Sequence, residues 1–247
     1  MNYAGYCSLT YNGVLIDQEI DGYTTINVEG RGLHGRVLST VDVQGKDGAV
    51  VLAQKTPARS IRVYFLIKAN TSREFMARLH ALHDHLKSDT DVAFKFSDEE
   101  FNRRGRLSEV ENPPYDRLQG IGSFTVYCQD PYKYGDDLTL TGTSVAVGGT
   151  SVHPYLIKKI EITIAANRTG LTIANSTTGK SIILTGEFTA GQVLAISHAD
   201  DAITLNGANI KNRLDYIYSD WRNFEIRTGD VLTCPETIEL TLTEREL

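Results

Sequence analysis

Tryptophan occurs once in 247 residues, methionine twice, cysteine three times and proline six times, and these scarcities exclude several classes of protein. Cys7, Cys128 and Cys234 lie more than 100 residues apart with no CxxC pair, so neither a disulfide framework nor a structural zinc site is expected. The three read instead as small, half-buried side chains. Long apolar runs are missing as well. The longest stretches, such as Ala49–Ala53 and Tyr64–Ile67, are far short of the ~20 residues a membrane helix needs. The start, MNYAGYCSLTYNG, has neither the basic segment nor the apolar stretch of a secretion signal, so synthesis in a cytoplasm and no membrane contact are expected. A basic excess is absent too: 25 Lys and Arg stand against 31 Asp and Glu, a formal charge of −6. Divided at Tyr134, the first half holds 16 basic and 17 acidic residues and the second 9 and 14. Neither half is the basic module that gains affinity by releasing counterions from a phosphate backbone.

Catalytic signatures are equally sparse. There is no P-loop, no GxGxxG after a strand and no GxSxG elbow. His80, His83 and His85 with Asp84 fall on a predicted helix, and His80 and His83 are one turn apart. Their spacing is not the HxxxH of helical zinc sites, and they sit on its polar side, so a solvated face is expected. Asp98-Glu99-Glu100 precedes Arg103-Arg104-Gly105-Arg106. Adjacent carboxylates at a strand end do not face one another across a substrate, so they read as a solvated loop with local ion pairs, and the arginines read as a charged turn or a subunit contact. His198-Ala199-Asp200-Asp201 reads as a polar turn. No catalytic, cofactor or metal residue is expected.

What is present is β pattern. Ile61, Val63, Phe65 and Ile67 alternate with Arg62, Tyr64, Leu66 and Lys68, the period of a strand. Val92–Phe96, Ile121–Cys128, Ile160–Ile164 and Ile238–Leu242 repeat it. Shorter pieces at Leu171–Ala174, Ser181–Thr185, Gln192–Ser197 and Ala202–Leu205 are separated by the turn signals Thr178-Gly179, Thr185-Gly186 and Asn206-Gly207; Thr228-Gly229 marks another. Turns every ~8–12 residues suit a sandwich or barrel. A single helix is predicted over about 71–88. Thr71-Ser72-Arg73-Glu74 has the form of a capping box, and Phe75, Leu79, Leu82 and Leu86 make one apolar stripe.

A boundary falls near residue 134. The strand ending at Cys128 runs into Gln129-Asp130-Pro131-Tyr132-Lys133-Tyr134-Gly135, where Pro131 removes a ladder donor. Beyond it, Thr141–Val152 is rich in Gly, Thr and Ser, and no charged residue occurs between Asp137 and Lys158. The fold class is mainly β: two β-sandwich domains, residues 1–134 with the helix and residues 135–247.

Phe124–Gly135, with Asp130, Pro131, Tyr132 and Tyr134 at its centre, resembles the stretch that closes the N-terminal domain of distal tail proteins of long-tailed, non-contractile bacteriophages. Val43–Gly48 is similar to that family's glycine–aspartate–glycine turn, Arg59–Ile67 to its next core strand, and the predicted helix falls where the family's single helix does. Asn223–Leu247, read as a hydrophobic hairpin after a turn, resembles its ending. The resemblance implies a galectin-like C-terminal sandwich and a structural hub: a hexameric ring at the tail tip. Such a ring meets the tail tube protein on one side and, on the other, a tail-associated lysin, tail fibre or receptor-binding protein. DNA passes its channel without specific binding, and the site of action is the virion. Two other readings stand beside it. Trp221 with Tyr216 and Tyr218 forms an aromatic group of the kind that stacks on sugars, pointing to a carbohydrate-binding module for cell-wall polysaccharide. A β-sandwich hydrolase with an unrecognised site is the third.

Overall fold

The structure, a computed structural model, describes residues 7–114 and 118–247; the first six residues of the start read above lie outside it. The chain is mainly β and divides into two compact units, Met1–Lys133 and Tyr134–Glu246.

The first unit holds β1 (Leu9–Tyr11), β2 (Val14–Leu15), the one-turn α1 (Ile16–Glu19) and β3 (Tyr23–Glu29). There follow β4 (Val37–Asp42), β5 (Ala49–Lys55), β6 (Arg59–Lys68), α2 (Ser72–Leu86), β7 (Val92–Phe96), β8 (Asn102–Glu111) and β9 (Gln119–Cys128). Two antiparallel ladders, β3-β6-β9-β8 and β2-β1-β7-β8, share β8. Arg103–Gly105 pair with β7, and Arg106–Glu111 with β9. Gly105 sits at the changeover, where a Cβ would lie 2.7 Å from the Tyr127 carbonyl oxygen, so only glycine lets the strand pass. Ile61, Val63, Phe65 and Ile67 point inward as their period predicts, and meet Phe94, Phe96, Phe124 and Val126 in one core.

Helix α2 lays Phe75, Leu82 and Leu86 into that core, with Leu79 half-buried beside them. The Thr71 hydroxyl accepts the Glu74 N–H at 3.2 Å, as a capping box requires. The Glu74 carboxylate accepts the Asn70 N–H at 2.9 Å, one residue earlier than the predicted reciprocal bond to Thr71. Thr71→Ala is expected to cost the first unit about 1 kcal/mol, checked by faster hydrogen exchange at the Glu74 amide.

The second unit contains β10 (Lys133–Ala146), β11 (Leu156–Thr163), β12 (Arg168–Asn175) and β13 (Ser181–Phe188). It continues with β14 (Val193–Ser197), β15 (Ala202–Leu205), β16 (Ala208–Asn209) and β17 (Val231–Glu246). One ladder runs β16-β15-β14-β11-β17-β10 and another β13-β12-β17, with Ile162, Ile173, Leu184, Ile196, Leu232 and Leu240 among the side chains of a single core. Asn206-Gly207 makes the predicted turn, both residues left-handed at φ 49° and 81°.

Two expectations are corrected in this unit. The predicted terminal hairpin is a turn followed by one sixteen-residue strand, β17. Its Leu232 and Thr233 pair with β12, and Ile238–Thr243 with β11. Pro235, exposed between the two stretches, ends one ladder without turning the chain back, because its missing N–H falls where the strand changes partner. Thr185-Gly186 is no turn either. It lies inside β13 opposite Thr169-Gly170, where the register slips, and Gly170 and Gly186 at φ 79° and 94° form a bulge.

Candidate assembly surface

Strands β4 and β5 pair with each other and, among the described residues, with no other strand. They form an arm whose residues are nearly all exposed. Val37, Leu38, Val41, Val51 and Leu52 stand in solvent, Leu52 at 66 % exposure, and Val43 joins them where the tip begins. A strand's side chains alternate between faces, so Val51 and Leu52 make both faces of the hairpin apolar. An isolated two-stranded ribbon is marginal in water, and an exposed apolar patch on a soluble protein marks a contact surface. Gly45 and Gly48, both left-handed, close the tip at the glycine–aspartate–glycine turn.

Charge holds the root of the arm. Arg59, 2 % exposed, follows the outgoing root and donates from Nη1 to the Gly30 and Gly32 carbonyls of the incoming root, at 2.9 and 3.0 Å. Arg31, between those glycines, clasps Asp98 through both terminal nitrogens at 2.6 and 2.8 Å and lies 4.8 Å from the Phe96 ring centroid. Gly30 must be glycine: it has φ 87°, and a Cβ there would lie 2.2 Å from the Ser60 carbonyl oxygen. The two roots also meet directly, through His34 Nε2 and the Pro57 carbonyl at 2.9 Å.

Behind Arg59 lies Arg103, 1 % exposed, its guanidinium paired through both terminal nitrogens with the Glu99 carboxylate. Asp98–Glu100 form the loop with local ion pairs that the sequence implies, whereas the arginines after them are not a charged turn. Arg103–Arg106 are strand residues of β8, and the inward side of that strand carries Arg103 into the interior. Burial pushes the Arg59 pKa down, and the Arg103 charge pushes it the same way. The Glu99 carboxylate opposes both. Next to them, burial raises the Cys128 thiol to about 11, and beside Arg31 and Asp98 burial raises the Cys7 thiol to about 11, which favours the protonated form of both.

The other residues singled out in the sequence fall elsewhere. His80 and His83 are exposed on α2. Asp130 accepts the Tyr132 N–H at 3.1 Å around Pro131, turning the chain after β9; Tyr132 and Tyr134 are half-buried. The structure separates the aromatic trio. Tyr216 and Tyr218 are exposed, whereas Trp221 is 8 % exposed and belongs to the core. Its indole N–H donates to Asp201 at 2.9 Å, His198 stacks on it at 4.5 Å, and Lys211, paired with Asp201, approaches the ring to 5.7 Å. The turn predicted at His198–Asp201 links β14 to β15.

His198 makes this cluster pH-sensitive. Neither ring nitrogen has a hydrogen-bond partner among the described residues. Burial holds the imidazole below its usual pKa, against a smaller upward pull from Asp201. Unfolding returns the group to its ordinary value of about 6.5, so the unfolded chain takes up the proton first. The second unit is therefore expected to lose stability as pH falls below about 6.5, and to be indifferent to this group above it. Trp221 fluorescence reports on this unit alone. Its unfolding midpoint should drop between about pH 7.5 and about pH 5, and His198→Phe should remove that part of the drop.

Sequence reasoning missed the arm and the buried arginines. The arm did leave a signal: the apolar pair Val37-Leu38 and the apolar triplet Val50–Leu52 flank a glycine turn. A buried arginine leaves none, because its type alone argues for the surface.

Residues 154–245 match the family described as siphovirus-type tail component, C-terminal domain. The resemblance to distal tail proteins holds across the chain. The distal tail protein of Bacillus phage SPP1 is 28 % identical over 248 residues, 97 % of this chain and 96 % of its own length. A crystal structure of that SPP1 protein, described as a paradigm of the hub adsorption apparatus in Gram-positive-infecting phages, has the same fold. It superposes with a TM-score of 0.82 at 22 % identity, over 98 % of this chain and 99 % of its own.

Proposed function

We infer that this chain is a structural, non-enzymatic hub of a phage tail tip. Copies of it close into a ring that joins the tail tube to the adsorption apparatus. The observation that carries the reading is the clamped apolar arm, on a chain similar along its length to a distal tail protein. An arm offered to a different surface on the next copy is a heterologous contact, and such a contact closes into a ring when its rotation divides a full turn. Six copies is the number that the resemblance to distal tail proteins implies. The ring's two faces would meet the tube protein and a lysin, fibre or receptor-binding protein. Chains made in the host cytoplasm would end in the virion. With a formal charge of −6 on each copy, the ring would gain little affinity for passing DNA from counterion release.

Light scattering on the purified protein tests the ring. A mass about six times that of the chain supports it, and a monomer at every concentration up to that of tail assembly overturns it.

A further inference from the structure

The second unit carries a hollow that the assembly reading leaves unused. At the β12–β13 bulge, Gly170 and Gly186 bring no side chains to the sheet surface, and a groove of about 420 Å³ opens there. Thr169, Thr172, Thr185, Ile183 and Pro235 line it, and no charged side chain does. Arg213 reaches over Gly186, where a Cβ would lie 3.5 Å from its Cδ, with its guanidinium over the Phe188 ring and donating to the Glu187 carbonyl.

Along the β13 edge of this groove runs a pinned loop. Leu214 bridges to Leu184, and Asp215 donates its N–H to the Ile183 carbonyl at 2.9 Å. The Ser219 hydroxyl accepts the Ile183 N–H at 2.9 Å and donates to the Ile183 carbonyl at 3.2 Å. Between these anchors the Asp215 carboxylate accepts the N–H groups of Ile217 and Tyr218, at 3.0 and 3.2 Å. The backbone is therefore fixed while Tyr216, Ile217 and Tyr218 face solvent, Ile217 at 84 % exposure. No ring contact or side-chain hydrogen bond among the described residues engages either phenol. Large aromatic faces held ready on a fixed backbone lose little freedom when something covers them.

We propose that this groove, with Tyr216 and Tyr218 as its platform, binds a neutral polysaccharide. Sugar rings present apolar C–H faces that lie against aromatic rings, and a rim of hydroxyls that both donate and accept. Threonine hydroxyls do the same. The lining itself is uncharged, and Arg213 beside it is already engaged by the Phe188 ring and the Glu187 carbonyl, which favours a neutral polymer over a phosphate-rich one. Trp221 takes no part, since its ring is already covered by His198 and the core. This site is separate from the arm, so its failure leaves the ring reading untouched.

The test uses the full-length protein in its assembled form. It is probed against immobilised neutral glucans, galactans and mannans, with teichoic acids as the anionic comparison. Binding to at least one neutral polymer is expected, nearly unchanged between about 0.05 and about 0.5 M salt. The double variant Tyr216→Ala/Tyr218→Ala should weaken it at least ~10-fold, as the loss of two stacking contacts implies. Thr172→Arg, which fills the groove from an exposed strand position, should weaken it comparably. In both variants the Trp221 unfolding midpoint should stay in place. Retention of teichoic acid alone, or undiminished binding in either variant, would overturn the proposal. So would loss of a tail protein's association in the tyrosine variant when no neutral polymer binds, which would assign the loop to a protein partner.

Discussion

Val51→Asp combined with Leu52→Asp is expected to dissolve the assembly into single chains. The two side chains project from opposite faces of the arm and touch nothing in the core of the first unit, so the folded subunit loses no packing. Burying one such side chain against a neighbouring copy contributes about 1.5–3 kcal/mol. Removing two, and placing a carboxylate in each position, therefore weakens every contact by at least about 3–6 kcal/mol, or ~100- to ~10,000-fold. Because every copy in a ring carries the same lesion, the effect repeats at each interface. Sedimentation should show the monomer at concentrations where the unaltered chain is assembled, while far-ultraviolet circular dichroism stays the same. An unaltered assembly mass would show that the subunits meet elsewhere.

Glu99→Ala should damage the first unit as severely as a large core truncation. Arg59 and Arg103 are both buried, and each lies near enough to bear on the other's charge. Glu99 is the carboxylate that pairs with Arg103 and also acts on Arg59. Deleting one partner of a buried ion pair leaves an uncompensated charge and costs about 3–5 kcal/mol, several times what an exposed pair contributes. Urea unfolding followed by hydrogen exchange in β6 and β9 should show the loss. Trp221, which lies in the other unit, provides an internal control and should report an unchanged midpoint. Replacing the pair by apolar residues, Glu99→Leu with Arg103→Met, should recover part of the stability, since two well-packed neutral side chains leave one buried charge fewer. A loss below about 1 kcal/mol would mean that water reaches the pair.

These arginines also mark where the sequence stopped being legible. Strands with one buried face announced themselves: Ile61, Val63, Phe65 and Ile67 alternate because one side of β6 faces the core, and the Phe75–Leu86 stripe placed α2 to within a turn. The arm could not be read as an arm, because its apolar residues look like those of a core strand until the structure shows that no core covers them. Arg103 was misread for a related reason. Burial there depends on a partner four residues earlier and on Gly105 steering β8 between ladders, and neither appears in a local pattern. Proximity in sequence groups Trp221 with Tyr216 and Tyr218, yet the tyrosines are exposed and the tryptophan is in the core. The Thr185-Gly186 signal was real but ambiguous, since glycine after threonine serves a bulge as well as a turn.

Strand β17 has a consequence for how the second unit comes into being. It is the last element of that unit to leave the ribosome, and both ladders hang on it: β12 at its beginning, β10 and β11 further on. Until it has been synthesised, β11 can pair with β14 and β12 with β13, but no strand joins the two ladders over Ile162, Ile173 and Leu194. The unit therefore folds after translation of its whole length rather than piece by piece, and a chain broken off before Val231 yields a finished first unit with an unclosed second one for the host's proteases to remove.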